Sequence, residues 1–110
     1  MQRSILIAAA IALAASTAAY AKGNAERGKT KAAQVCAACH GADGSKPVAP
    51  ENPILAGQYE DYLVKALSDY KSGKRANPVM KTFADQLSKQ DIEDVAAWFS
   101  KQKSSLHFQR

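Results

Sequence analysis

Several residue types are scarce in this chain of 110 residues, and each shortage closes a class of function. There is no third cysteine, and His107 is the only histidine besides His40. A structural zinc site, which takes four ligands commonly arranged as two separate Cys or His pairs, is therefore excluded. No alternating apolar and polar run marks a β-strand, and no strand–helix–strand pattern surrounds the two cysteines, so the setting of a thioredoxin-like redox pair is missing. There is no internal repeat. No nucleic-acid-binding motif accompanies the formal charge of +5, which leaves the basic excess to other uses. Nor does any apolar run reach the length of about 20 residues that a membrane-spanning helix needs. The nearest, residues 5–15, stops at Ser16 and Thr17.

That run is better read as the core of an export signal. Arg3 supplies a short positive region ahead of it, and Ala19-Tyr20-Ala21 forms an A-x-A cleavage site. Residues 1–21 are thus expected to be removed, leaving residues 22–110 as a single domain of 89 residues. No cysteine lies in or just after the signal, so a lipid-modified N-terminal cysteine is excluded. Loss of Arg3 lowers the formal charge from +5 to +4. A polypeptide core of this size is marginal, and scaffolds this small usually need a staple.

What the chain does have is Cys36-Ala37-Ala38-Cys39-His40. Two thiols three residues apart, with an imidazole directly after the second, is the sequence sign of a covalently attached c-type haem. On a helix, positions i, i+3 and i+4 share a face, so all three side chains can address one flat macrocycle. In this reading the thioether links to the haem vinyl groups would come from the two thiols, and His40 would be the proximal iron ligand. A plain disulfide would use the same two cysteines but would leave His40 without a role. One haem then supplies the staple: covalent bonds, axial ligands and an apolar face for short helices to pack on.

Around the motif the chain reads as helices and loops. Asn24 is placed to cap a first helix, with Glu26 in its first turn, and that helix is expected to run through the motif to Gly41. Residues 41–57 are rich in proline and glycine and read as a loop. Within it, Ile54 and Leu55 are two large apolar residues that must press on something, taken here as the haem face. Residues 58–71 form the clearest amphipathic helix, with Tyr59, Tyr62, Leu63, Ala66, Leu67 and Tyr70 on one side. A stripe at this spacing is ordinarily core, and core and haem pocket here are largely the same place, which assigns Leu63 and Leu67 to the pocket. Residues 74–83 read as a second loop carrying Met80, the only methionine once Met1 has gone. A thioether suits haem iron, so Met80 is assigned as the distal iron ligand in preference to a gap-filling core role. A last helix opens at Ser88, with Asp91 in a capping-box position and Ile92, Val95, Ala96, Trp98 and Phe99 as its apolar face, and fades around Gln102. His107 falls in a polar tail.

The ordered set of helix, Cys36-x-x-Cys39-His40, Pro53-x-Leu55-x-Gly57, Met80 and an aromatic final helix resembles the class I cytochromes c, most closely the small soluble bacterial monohaem kind. The resemblance covers residues 22–103. It implies an all-α cytochrome c fold of three to four short helices wrapped around one covalently bound haem c. It also implies that the carbonyl of Pro53 accepts from the second nitrogen of the proximal histidine, which orients the ring and raises its basicity. Gly28 on the first helix would meet Trp98 on the last. Where many relatives carry an aromatic four residues after that glycine, this chain has Ala32, so Trp98 and Phe99 are expected to fill the space.

The function implied is single-electron transfer in the periplasm between a donor reductase or dehydrogenase and an acceptor oxidase or reductase, with no enzymatic activity, no nucleic-acid partner and no stable membrane insertion. A loosely held Met80 would instead leave room for a gas-binding or peroxidatic protein, and a dedicated haem subunit of an oxidase or dehydrogenase is a further alternative. The basic residues Lys71, Lys74, Arg75 and Lys81 read either as a docking patch for an anionic partner or as a solvated surface.

Overall fold

Asn24 opens the first helix as its local sequence demands: its side-chain oxygen accepts from the Arg27 N–H at 2.9 Å, one of the donors a helix start leaves unpaired. The computed structural model describes residues 22–104, and the described residues are helical and irregular, with no strand. The export signal at 1–21 and His107 lie outside the described residues. Helix α1 is Ala25–Val35. It stops one residue short of the motif, where the single helix expected through to Gly41 is broken. Cys36 takes φ −109° and ψ −35°, and α2, Ala37–His40, begins after it. The N–H groups of Cys39 and His40 both donate to the Cys36 carbonyl, at 3.3 and 3.1 Å. The motif therefore forms a tight turn of its own, and Gly41 at φ 87° ends it.

Helix α3, Glu60–Ser72, is closed by Gly73 in the left-handed region at φ 86°. Residues 74–83 were expected to be loop, yet Pro78–Ala84 is helix α4. The cause is local. Asn77 accepts from the Met80 N–H at 3.0 Å, and Pro78 stands at the first helical position, where its missing N–H costs nothing and its φ is preset. Helix α5, Lys89–Ser100, starts with the full capping box between Ser88 and Asp91. There are thus five helices among the described residues, two of them very short, against the three to four expected.

Helix α1 packs on α5, and α3 packs on both α5 and α4. The core gathers Ala32, Leu63, Leu87, Ile92, Val95, Ala96 and Phe99, with Trp98 packed against it. The crossing of α1 and α5 depends on Gly28. A Cβ there would sit 1.9 Å from the Asp94 carbonyl oxygen and 3.0 Å from the Trp98 Cβ, so the glycine meets the α5 backbone first and Trp98 second. Gly23 makes a second close approach that the sequence reading passed over: its Cβ would lie 2.0 Å from the Glu93 carbonyl oxygen.

Asp94 is 3% exposed and binds the two helices together. It accepts from the Asn24 N–H at 2.8 Å, from Arg27 Nε at 2.9 Å and from Gln90 Nε2 at 3.0 Å. Burial works against its ionisation, but those hydrogen bonds and the Arg27 charge outweigh it and hold the carboxyl below its ordinary range.

Candidate haem-binding site

The elements close around one large cavity of about 750 Å³, within the size range of small-molecule sites. The α1–α2 junction contributes Cys36, Cys39 and His40. The loop before α3 contributes Pro53 and Leu55, α3 contributes Leu63 and Leu67, and α4 contributes Met80. All eight residues assigned from the sequence line this single cavity. Ile54 joins them.

Each chemical group is held in a usable state. His40 is buried, 6% exposed, and its Nδ1 lies 2.9 Å from the Pro53 carbonyl oxygen. A carbonyl only accepts, so Nδ1 carries the proton and Nε2 keeps its lone pair for a metal. The chain just after that carbonyl is fixed in turn: the Leu55 and Ala56 N–H groups donate to the Gly44 carbonyl at 2.9 and 3.2 Å. Gly44, at φ 76°, has no room for a side chain, since a Cβ would come 2.8 Å from the Phe99 ring and 3.0 Å from the Ala56 nitrogen. Cys36 and Cys39 are unbridged. Burial pushes the Cys36 thiol up to about 11, so at neutral pH it is an un-ionised thiol set against the cavity. Met80 is tethered by the Asn77 cap on its own N–H.

The cavity also has walls that the sequence did not announce. Phe83 and Ala84 of α4 and Val95, Ala96 and Phe99 of α5 all face it. The α5 residues had been read as core, and at the cavity core and wall coincide. Phe83 was lost with the helix that carries it. Of the basic residues, Lys74, Arg75 and Lys81 are exposed and Lys71 is half-buried. Lys71 donates its ammonium to the Leu87 carbonyl, and Lys81 donates to the Lys71 carbonyl at 3.0 Å and to Asp85 at 3.2 Å. These contacts tie the end of α3 to α4 and to the turn before α5. The Arg75 guanidinium lies 4.7 Å from the Tyr70 ring centroid.

The family model described as cytochrome c matches residues 25–103, which include the whole cavity. The chain belongs to the cytochrome c family. It is 47% identical over 102 residues to cytochrome c4 of Pseudomonas aeruginosa, covering 93% of this chain and 50% of that protein. It is 39% identical over 84 residues to cytochrome c-554(548) of Halomonas halodenitrificans, covering 74% of this chain and 99% of that protein. The crystal structure of reduced recombinant cytochrome c4 from Pseudomonas stutzeri superposes with a TM-score of 0.69 at 48% identity, over 76% of this chain and 48% of that one. The chain thus spans about half the length of the cytochromes c4 it matches.

Membership of the cytochrome c family implies a covalently bound haem c, and the residues present fit it. Two unbridged thiols, an imidazole with only Nε2 left for a metal, and a thioether all line one largely apolar cavity. The described residues hold no cluster of three or more His, Cys, Asp or Glu that would suit a different metal.

Proposed function

We propose that this protein is a single-electron carrier that holds one haem c and is not an enzyme. The observation that carries the reading is the convergence of Cys36, Cys39, His40 and Met80 on one cavity, with the His40 ring set by Pro53 at 2.9 Å. In this reading Cys36 and Cys39 would hold the haem through thioether links, and His40 Nε2 and the Met80 sulfur would be the protein's ligands to its iron. The haem supplies the one-electron couple, and His/Met ligation places its potential high.

The polypeptide's part is to keep both ligands still. The Pro53 carbonyl holds the imidazole's orientation, and the Asn77 cap holds the turn that carries Met80. Apolar side chains such as Leu55, Leu63 and Leu67 exclude water. With His40 and Met80 both given to the iron, the protein would leave no place there for a substrate, and the chain would have little to move on electron transfer.

The same proposal places the cleaved signal at 1–21, the domain at 22–110 and the working compartment in the periplasm. Its partners are a donor and an acceptor redox protein. Among the described residues no helix is long and apolar enough to cross a membrane.

The test is an absorption spectrum of the purified protein in both redox states, before and after carbon monoxide. The expected result is a low-spin reduced form that carbon monoxide leaves unchanged, an oxidised form with a sulfur-to-iron charge-transfer band, and haem that stays with the chain through acid-acetone extraction. Immediate carbon monoxide binding without the band would turn the reading toward a gas-binding or peroxidatic protein.

A further inference from the structure

The haem motif and the loop after it are joined by two neighbouring side-chain hydrogen bonds. His40 Nδ1 donates to the Pro53 carbonyl at 2.9 Å. One residue earlier on each side, Asn52 Nδ2 donates to the Cys39 carbonyl at 3.1 Å. A carbonyl only accepts, so it is the nitrogen end of the Asn52 amide that faces Cys39. The two bonds form one clamp between Cys39–His40 and Asn52–Pro53.

The carbonyl that orients His40 sits in an exposed part of the loop. Pro53 is exposed, and as a proline it has no N–H with which to anchor its own backbone. Downstream, the Leu55 and Ala56 N–H groups tie the chain to the Gly44 carbonyl at 2.9 and 3.2 Å. Upstream, the Asn52 N–H donates to the Ala49 carbonyl at 3.1 Å, a bond inside the same loop that does not reach the motif. The Val48 N–H does reach it, at 3.1 Å from the Cys39 carbonyl, but from farther back along the loop. The half-buried Asn52 side chain, which also lines the cavity, is therefore the anchor next to Pro53 on that side.

We propose that Asn52 is a positioning residue for the iron ligand: by gripping the Cys39 carbonyl, its amide keeps the Pro53 carbonyl on His40 Nδ1 and so keeps the imidazole basic. This rests on the carrier reading above, in which His40 Nε2 is given to the iron. An imidazole that donates firmly from one nitrogen is more basic at the other, and a more basic ligand favours the oxidised, more positive iron. Loosening the clamp therefore weakens the ligand and raises the reduction potential. Asparagine is uncharged, so a neutral replacement tests this without altering the charge of the chain.

The experiment uses the holoprotein and its Asn52→Leu and Asn52→Gln variants. Leucine keeps the approximate shape and removes the donor, whereas glutamine keeps the donor on a longer arm. Two properties are read: the chemical shift of the His40 Nδ1 proton, by NMR of the reduced, isotope-labelled protein, and the midpoint potential, by spectroelectrochemistry. Both report the native state and are untouched by a mere loss of stability. Asn52→Leu should move the proton resonance upfield, as a lengthened hydrogen bond does, and raise the potential, with the sulfur-to-iron charge-transfer band kept. Asn52→Gln should lie between it and the wild type in both. Should Asn52→Leu fail to yield holoprotein, the same two shifts in Asn52→Gln decide the matter.

An unmoved His40 proton overturns the proposal and leaves the carrier reading standing, whatever the variants do to the melting temperature, because Asn52 would then only brace the loop. A moved proton without a rise in potential overturns it as well, since the ligand would be no less basic. Loss of the charge-transfer band in either variant does the same, because Asn52 would then be acting on the whole pocket. A wild-type protein without covalent haem overturns the carrier reading itself, and this proposal with it.

Discussion

Gly28→Ala is the substitution that probes the α1–α5 crossing most directly. The added Cβ would lie 1.9 Å from the Asp94 carbonyl oxygen and 2.5 Å from its carbon. An ordinary carbon–oxygen contact is about 3.3 Å, so the helices would have to part by more than an ångström. They are not free to part at that point. Asp94 is bonded across the same crossing to the Asn24 N–H at 2.8 Å and to Arg27 Nε at 2.9 Å.

Overpacking a tight contact costs about 1–3 kcal/mol, and weakening the buried carboxylate's hydrogen bonds adds about 1–3 kcal/mol. The gain in helix propensity from glycine to alanine returns about 1 kcal/mol. The expected net loss is about 3 kcal/mol, a fall in Tm of about 12–24 °C for a domain of this size. Thermal unfolding of the oxidised holoprotein, followed by circular dichroism, measures it. Gly73→Ala is the control, since nothing lies within 4 Å of a Cβ there and only the left-handed φ of 86° is strained. It should cost about 1 kcal/mol. A Gly28→Ala protein that melts within about 2 °C of the wild type would refute the reasoning, because the crossing would then have slack that the packing does not show.

Three further outcomes are expected. Met80→Ala should abolish the sulfur-to-iron charge-transfer band, admit carbon monoxide to the reduced iron and lower the potential, all read by optical titration. Asn77→Ala removes the cap on the Met80 N–H. It should cost about 1 kcal/mol, and on heating the charge-transfer band should be lost well before the far-ultraviolet helix signal. Asp94→Asn tests the depressed carboxyl. A group whose folded pKa lies below its unfolded value of about 3.9 stabilises fully above that value, and the benefit is lost as pH falls through the folded pKa. The variant should therefore be less stable than wild type at neutral pH, and the gap should close below about pH 4 in acid-unfolding curves.

The residues of the site were legible because each announces itself by type and local spacing. Cys36, Cys39 and His40 lie within one turn, Met80 is the lone thioether after the signal, and Leu63 and Leu67 fall on the apolar side of a strongly periodic helix. Helix ends were equally local matters: Asn24, Gly73 and the Ser88–Asp91 box act through bonds three or four residues long. The signal for α4 was also present, in Asn77-Pro78, but seven residues are too few to show periodicity, so the helix went unread. The break at Cys36 had no such signal, since nothing in the alanines around it forbids a continuous helix.

The sequence by itself determined that the described residues are helical, where α1 starts, where α3 and α5 begin and end to within about two residues, and which four residues offer thiol, imidazole and thioether. Only the tertiary structure decided what those groups share. That Arg75 is the one lysine or arginine lining the cavity and that Asp94 clasps Asn24 and Arg27 from about seventy residues away are long-range facts, whereas the Pro53 carbonyl at His40 Nδ1 was already implied by the family resemblance. The physical reason is one of range. Capping, periodicity and turn geometry act over a few residues and are written in local spacing. The approach of Gly28 to Asp94 depends on how whole helices pack, and a backbone carbonyl, which makes that contact, has no letter in the sequence.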